Sequence, residues 1–492
     1  MSAGDTIRNL KPSPTRFPRG PEMRTNGPGI GLETRFMPSD RNLSNFKFIE
    51  DTPDMSILGQ ALDNCLQNHG DYCRGQHASD LTSTRMIDVV DRTVVSYPQE
   101  CDYFALSYVW GGISPPSNAL ENKNLPRTIE DAIKVTKALV TLVAETGDNG
   151  DAGLSGISAL RLAQLKENID GYVLFTVPQE HDLEVEDVTW SRRAWTYQEE
   201  LLSRRMLRFN ESQVLFDCVT DQWEEGMDTT TFIKDGPPGS PINTSLPYTN
   251  RLPDYTTQPE VVQKRFKYFT MLLSEYTGRR MTYESDSLNA FRGVLQTLQK
   301  QPFPEGFVHG LPLRSHPASL AWMHVNSVTA KRRAEFPSWC WTGWEGQVRY
   351  WDQLQDDANA HWSNASTVDF ELRFVSCHGN ELEVEGWVVD LDVRTEPLSE
   401  LFIPGQDDSI AAVKEGNSAH NNTLKTGRYN CLVIQRNCEK LQGRKPLKET
   451  IYLLALDQRG QQIYRQAMLS VWPWTGCSFD QVQHRKEVVK LV

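Results

Sequence analysis

Three sets of residues in this chain have side chains and spacings that could do chemistry. The first is Cys65, His69, Cys73 and His77, thiol and imidazole donors at every fourth position, the donor types that hold zinc. On one unbroken helix the outer two stand roughly 18 Å apart, too far to share a tetrahedral ion. A zinc site requires the helix to break near Gly70 or Gly75 and fold back, so the simpler expectation is a cysteine and histidine face on a helix, with no metal. The second set is Ser107, Tyr108, Trp110, Gly111 and Gly112, at the end of the apolar run YFALSYVWGG over residues 103–112. Ligands of open α/β sheets collect beyond the carboxyl ends of such strands. The third is Arg193, Trp195, Gln198 and Glu199 in the helical stretch RRAWTYQEELL over 192–202, whose polar end could point toward that strand tip.

The elements that must position these groups follow from local pattern. The run 103–110 reads as a short strand buried on both faces, and Gly111 and Gly112 let the backbone turn. Before it, 86–90 and 93–95 alternate as a hairpin. After it, Thr128 opens a helix as its cap, with Asp131 near the positive end. Ala194, Trp195, Gln198, Leu201 and Leu202 form the expected inner face of the 192–202 helix. Residues 206–209 and 214–216 read as strands around the turn 210–213. The glycine-rich segment 147–156 has neither a Lys-Ser/Thr ending nor G-x-G-x-x-G order, and its aspartates oppose phosphate, so it reads as a flexible surface loop. One junction is anomalous. The helix ending near Leu139 runs into the strand-like 140–144 without turn residues, as though a segment were missing.

Composition excludes several classes. With 492 residues the chain has room for more than one domain, and its net charge of -13 opposes general binding to nucleic acid or an anionic membrane. Nine cysteines without framework spacing suit reduced thiols. There is no bilayer-spanning apolar run, no G-x-S-x-G and no H-E-x-x-H. Residues 1–50 are rich in proline and poor in aliphatics and read as a disordered leader. Residues 226–300 read as a linker and a helical segment. Residues 301–492, with strand signals dominant from Val368 and three tryptophans in 336–344, read as a β-rich C-terminal module.

Taken in order, YFALSYVWG (103–111), LPRTIEDA (125–132) and RAWTYQEELL (193–202) resemble the successive motifs of the fungal heterokaryon-incompatibility (HET) domain. The later stretches YTGRRMTYESDSLNAFRG (276–293), HGLP (309–312) and FPSWCWTGWEG (336–346) resemble segments that follow it in many such proteins. The resemblance implies an α/β domain over 51–225, a parallel sheet with flanking helices, distantly similar to Toll/interleukin-1-receptor (TIR) domains. It also implies a cytoplasmic effector or regulator of programmed cell death on fusion of unlike hyphae. Its partners would be other HET-domain or incompatibility proteins or a second copy of itself, with no cofactor. If the TIR likeness extends to mechanism, NAD is the substrate, and Glu199 or Asp131 stabilises a cationic ribosyl centre. The chain departs from the family where a segment like Leu-Trp-Ile-Asp-x-x-Cys-Ile-x-Gln and a following helix should lie, between Leu139 and Thr141. That loss raises the alternative of a non-enzymatic pseudo-effector or decaying paralogue that binds other HET proteins, and predicts a poorly soluble or partly unfolded domain.

Overall fold

A computed structural model describes residues 48–69, 73, 84–97, 104–112, 119–120, 124–136, 141–169, 172–175, 188–219, 221–226, 265–300, 302–325, 331–350, 372–395, 399–416, 425–439, 448–474 and 479–492. The leader over its first 47 residues, His77, most of the loop-rich stretch before 259 and the anomalous junction at 137–140 lie outside these. The chain divides into two compact units, 1–184 with 205–243, and 185–204 with 244–492.

In the first unit, α1 (Met55–Asn68) begins where the Asp54 carboxylate accepts from the Ser56 amide at 2.9 Å. It buries Leu58, Ala61, Leu62 and Cys65, the i, i+3, i+4, i+7 stripe of an amphipathic helix. The hairpin β1 (Arg85–Asp88) and β2 (Thr93–Ser96) pairs antiparallel and turns at Arg92, with φ +54°. β3 (Ala105–Ser107), β4 (Thr141–Ala144), β7 (Arg205–Phe209), β8 (Val214–Cys218) and β9 (Gln222–Glu224) form a five-stranded sheet in the order β3-β4-β7-β8-β9. β3, β4 and β7 run parallel, and β8 and β9 return antiparallel. The sheet is therefore mixed rather than wholly parallel. α2 (Arg127–Val135) crosses from β3 to β4, and β5 (Lys166–Ile169) pairs with β6 (Tyr172–Phe175) apart from the main sheet.

One expectation changes here. The strand at 103–110 is only three residues long and lies at the sheet edge, with Ala105 exposed and Ser107 buried. The central, fully buried strand is β7. An edge strand pairs on one side only, so its ladder is easily cut short, here by the turn at Gly111 and Gly112. β3 pairs directly with β4 and β4 with β7. Leu142, Val143 and Ala144 are buried within the sheet.

The second unit, rather than the expected 51–225 domain, contains α3 (Ala194–Leu202), together with α4 (Arg265–Thr277) and α5 (Arg292–Lys300). A short hairpin of β10 (Met323–His324) and β11 (Val348–Arg349) follows. The β-rich part comprises β12 (Arg373–His378), β13 (Glu381–Arg394), β14 (Glu400–Phe402), β15 (Ser409–Gly416), β16 (Gly427–Glu439), β17 (Lys448–Arg459), β18 (Gln462–Pro473) and β19 (His484–Leu491). β13 pairs with both β14 and β16, so the path β13-β14-β15-β18-β17-β16 returns to its start and closes as a barrel. Alternate residues of β17 face opposite cores: Ile451, Leu453 and Ala455 join one, while Tyr452, Leu454 and Leu456 join another shared with the helices. A strand covered on both faces is apolar throughout, as IYLLAL is. Of the tryptophans in 336–344, Trp339 lies in a turn and Trp341 in a 3-10 segment (Trp341–Gly343). Trp339, Trp341 and Trp344 are buried and each indole donates to a backbone carbonyl, of Asn380, Gly310 and Ser338.

Candidate functional site

Ser107 ends β3 in a register row with Val143 of β4 and Arg208 of β7. Beyond it Trp110 is 60% exposed, with Tyr108 stacked beside it at 6.0 Å between ring centroids. Trp110 does not cap the core; it stands in solvent. The backbone then turns back at Gly111, with φ +63°, where a Cβ would lie 2.2 Å from the Cβ of Asn149. Glycine is required on both counts.

The loop 147–156 is tied into this tip rather than left free on the surface. The Gly150 amide donates to the Trp110 carbonyl at 3.3 Å, and the Gly150 carbonyl accepts from the Thr128 amide at 3.0 Å. The loop thereby serves the start of α2, which has Pro126 at its cap position and no side-chain cap. Thr128 and Asp131, expected to cap that helix themselves, reach outward instead. The Thr128 hydroxyl accepts from the Gly153 amide at 3.1 Å. Asp131, 1% exposed, accepts from the Leu154 amide at 2.9 Å, from the Ser158 hydroxyl, and from Lys134 Nζ at 2.9 Å. Both carboxylate oxygens hold the loop and the helix face together.

A buried charged group unanticipated from the sequence lies in the same sheet. Arg208 Nη1 meets Glu145 at 3.1 Å and its Nε meets Asp217 at 2.7 Å, with Arg208 and Glu145 almost wholly enclosed. Glu145 directly follows β4, at the carboxyl edge where α/β sheets bind ligands. The available signal was Arg208 between Leu207 and Phe209 in the strand RMLRF, since a buried charge demands a partner.

The remaining expected site residues belong to the second unit, whereas Ser107, Tyr108, Trp110, Gly111 and Asp131 belong to the first. On α3 the buried residues are Ala194, Thr196, Tyr197, Glu200 and Leu201, while Trp195, Glu199 and Leu202 lie on the exposed face. The expected inner face was thus rotated, because Trp195 finds a polar partner outside: its indole donates to Asp286 at 3.1 Å. Arg193 pairs with Arg280 in an isolated bridge, and the Gln198 side-chain oxygen accepts from the Gly293 amide at 3.2 Å. The enclosed carboxylate is not Glu199 but Glu200, fully buried and paired with Arg279 at 2.7 Å. Arg279 also lies over the Tyr197 ring at 4.5 Å, and the Tyr197 hydroxyl donates to Glu275 at 2.9 Å. Burial raises both Glu275 and Tyr197 above their ordinary ranges, opposed at Glu275 by the Tyr197 hydrogen bond and Arg279. The helical period could have found Glu200, three residues after Tyr197 on one face.

The cysteine and histidine pattern also resolves differently. α1 ends at Asn68 and His69 follows it, its amide donating to the Cys65 carbonyl at 3.2 Å. Cys65, His69, Cys73 and Cys218 instead converge, with donor atoms all within 4.8 Å of one another. Cys218, at the end of β8, was not anticipated, because no local spacing links it to residues some 150 positions earlier.

No family model, curated protein or solved structure matches this chain.

Proposed function

We propose that this chain is a HET-domain protein, an effector or regulator of heterokaryon incompatibility and programmed cell death in a filamentous fungus. The carrying observation is the interlock of segments far apart in sequence. The SYVWG tip, the RTIEDA helix and the loop 147–156 are joined by the Gly150, Thr128 and Asp131 hydrogen bonds. Together they support one aromatic surface, Tyr108 with exposed Trp110. Such a rigidly backed tryptophan is the kind of anchor that protein interfaces use.

A non-enzymatic action is the better supported mode. Cleavage of NAD needs a fixed negative charge in a dry cleft, yet Asp131 is engaged by the loop and Glu199 lies on an exposed helix face. In this reading the chain recognises other HET-domain proteins or a second copy of itself through Trp110. Among the described residues no helix is long and apolar enough to cross a membrane.

Inducible expression in a fungal host tests the proposal. Growth should stop, or an incompatibility reaction driven by an intact HET protein should change in strength, and Trp110→Ala should remove the effect. Glu199→Gln should leave it intact, with cellular NAD unchanged. Normal growth and unaltered incompatibility at full expression would reject the HET reading; NAD loss abolished by Glu199→Gln would replace regulation with catalysis.

A further inference from the structure

We propose that Cys65, His69, Cys73 and Cys218 form a zinc site that staples α1 to the β7–β8 hairpin. Cys65 lies on the buried face of α1, His69 just past its end, and Cys218 closes β8. Cys73 returns to the same point and is fully buried. Three sulfurs and one imidazole nitrogen make the tetrahedral donor set of structural zinc sites.

The distances fit. A tetrahedron with metal bonds of about 2.0–2.3 Å has edges of roughly 3.3–3.8 Å. His69 Nδ1 lies 3.2 Å from Cys218 Sγ and 3.9 Å from Cys73 Sγ, so a small adjustment admits the ion. The earlier objection, the span from Cys65 to His77, does not arise, because Cys218 supplies the fourth donor from another element.

The surroundings suit the charge of the loaded site. Three thiolates and a divalent ion leave one net negative charge once the thiol protons have gone to solvent. Arg205, buried and directly opposite Cys218 in the β7–β8 ladder, donates through Nε to Cys65 Sγ at 3.2 Å. Its Nη2 is buried and has no hydrogen-bond partner. A guanidinium left partly unsatisfied is costly in an apolar core unless a negative charge lies beside it. The Asp221 amide donates to Cys218 Sγ at 3.2 Å, the outer-shell support that bound thiolates receive. Cys65, Cys73 and Cys218 belong to one buried apolar cluster with Leu58, Leu62, Phe216 and Trp223, as befits a structural rather than a catalytic site.

The test uses full-length protein purified under reducing conditions and measures metal content. About one zinc per chain is expected. Cys218→Ser and Cys73→Ser should hold less than about a tenth of that, whereas Cys73→His, which keeps four donors, and Cys377→Ser, which removes none of them, should retain it. Arg205→Met should weaken zinc binding by roughly tenfold or more. In case the serine variants fail to fold, wild-type protein stripped of metal is titrated with cobalt(II). Visible ligand-field bands of a tetrahedral thiolate site, displaced by zinc, support the proposal. It is overturned by wild-type protein with neither zinc nor that cobalt spectrum, by zinc content unchanged in both serine variants, or by a disulfide joining two of the three cysteines.

Discussion

Replacement of Asp131 separates a carboxylate that does chemistry from one that holds the chain together. In the wild type it accepts from the Leu154 amide and the Ser158 hydroxyl on one oxygen and from Lys134 on the other, at 1% exposure. In Asp131→Ala the Leu154 donor is left buried without its charged acceptor, a loss of about 1.5–3 kcal/mol, and the Ser158 hydroxyl loses its partner as well. Lys134 is largely exposed and adds at most about 1 kcal/mol. The expected total is about 3–5 kcal/mol, a large part of a domain's usual margin of about 5–15 kcal/mol. Asp131→Asn keeps one oxygen able to accept from both Leu154 and Ser158 and should cost only about 1–2 kcal/mol. Amide hydrogen exchange at Leu154 in the full-length protein reads this locally. A loss of about 3 kcal/mol accelerates exchange by roughly 100-fold in the alanine variant, and the asparagine variant should fall between it and wild type. Wild-type protection in Asp131→Ala would refute the clamp. Equal, complete loss of biological effect in both variants, with protection retained, would point to chemistry at the carboxylate instead.

Three further outcomes follow from the geometry. Gly111→Ala places a Cβ against Asn149 and strains a φ of +63°, whereas Gly112→Ala meets no atom and bears only a φ of +77°; urea denaturation should find the first more than about 2 kcal/mol destabilised and the second about 1 kcal/mol. Glu200→Gln breaks a buried pair with Arg279 and should cost about 3–5 kcal/mol, while Glu199→Gln, on the exposed face, should stay within about 0.5 kcal/mol of wild type in thermal unfolding. Burial holds both His316 and His324 down at about 4, assisted by Arg265 and Arg465 respectively. Their folded values lie below the unfolded value near 6.5, so their contribution is fully present above that pH and is lost as pH falls toward 4, by about 3 kcal/mol each. The acid limb of stability should therefore steepen below about pH 6.5, and His324→Gln should flatten it; an unchanged slope in that variant would count against the assignment.

Local physics makes much of the framework legible in the sequence. The hairpin at 85–96, the β7–β8 pair around its Asn210 turn, the glycines after Trp110 and the strand-rich C-terminal region all follow from side-chain period and turn chemistry. Those signals act over a few residues, so one sequence carries them in full. What tertiary structure alone decided is which distant groups meet. It put the motif strand at an edge rather than at the centre and turned α3 so that Glu200, not Glu199, is enclosed. It engaged Asp131 with a loop more than twenty residues away and carried Cys218 to Cys65, His69 and Cys73. Strand order and helix rotation are fixed by the summed burial of whole faces, and no local spacing encodes a partner brought in by that burial.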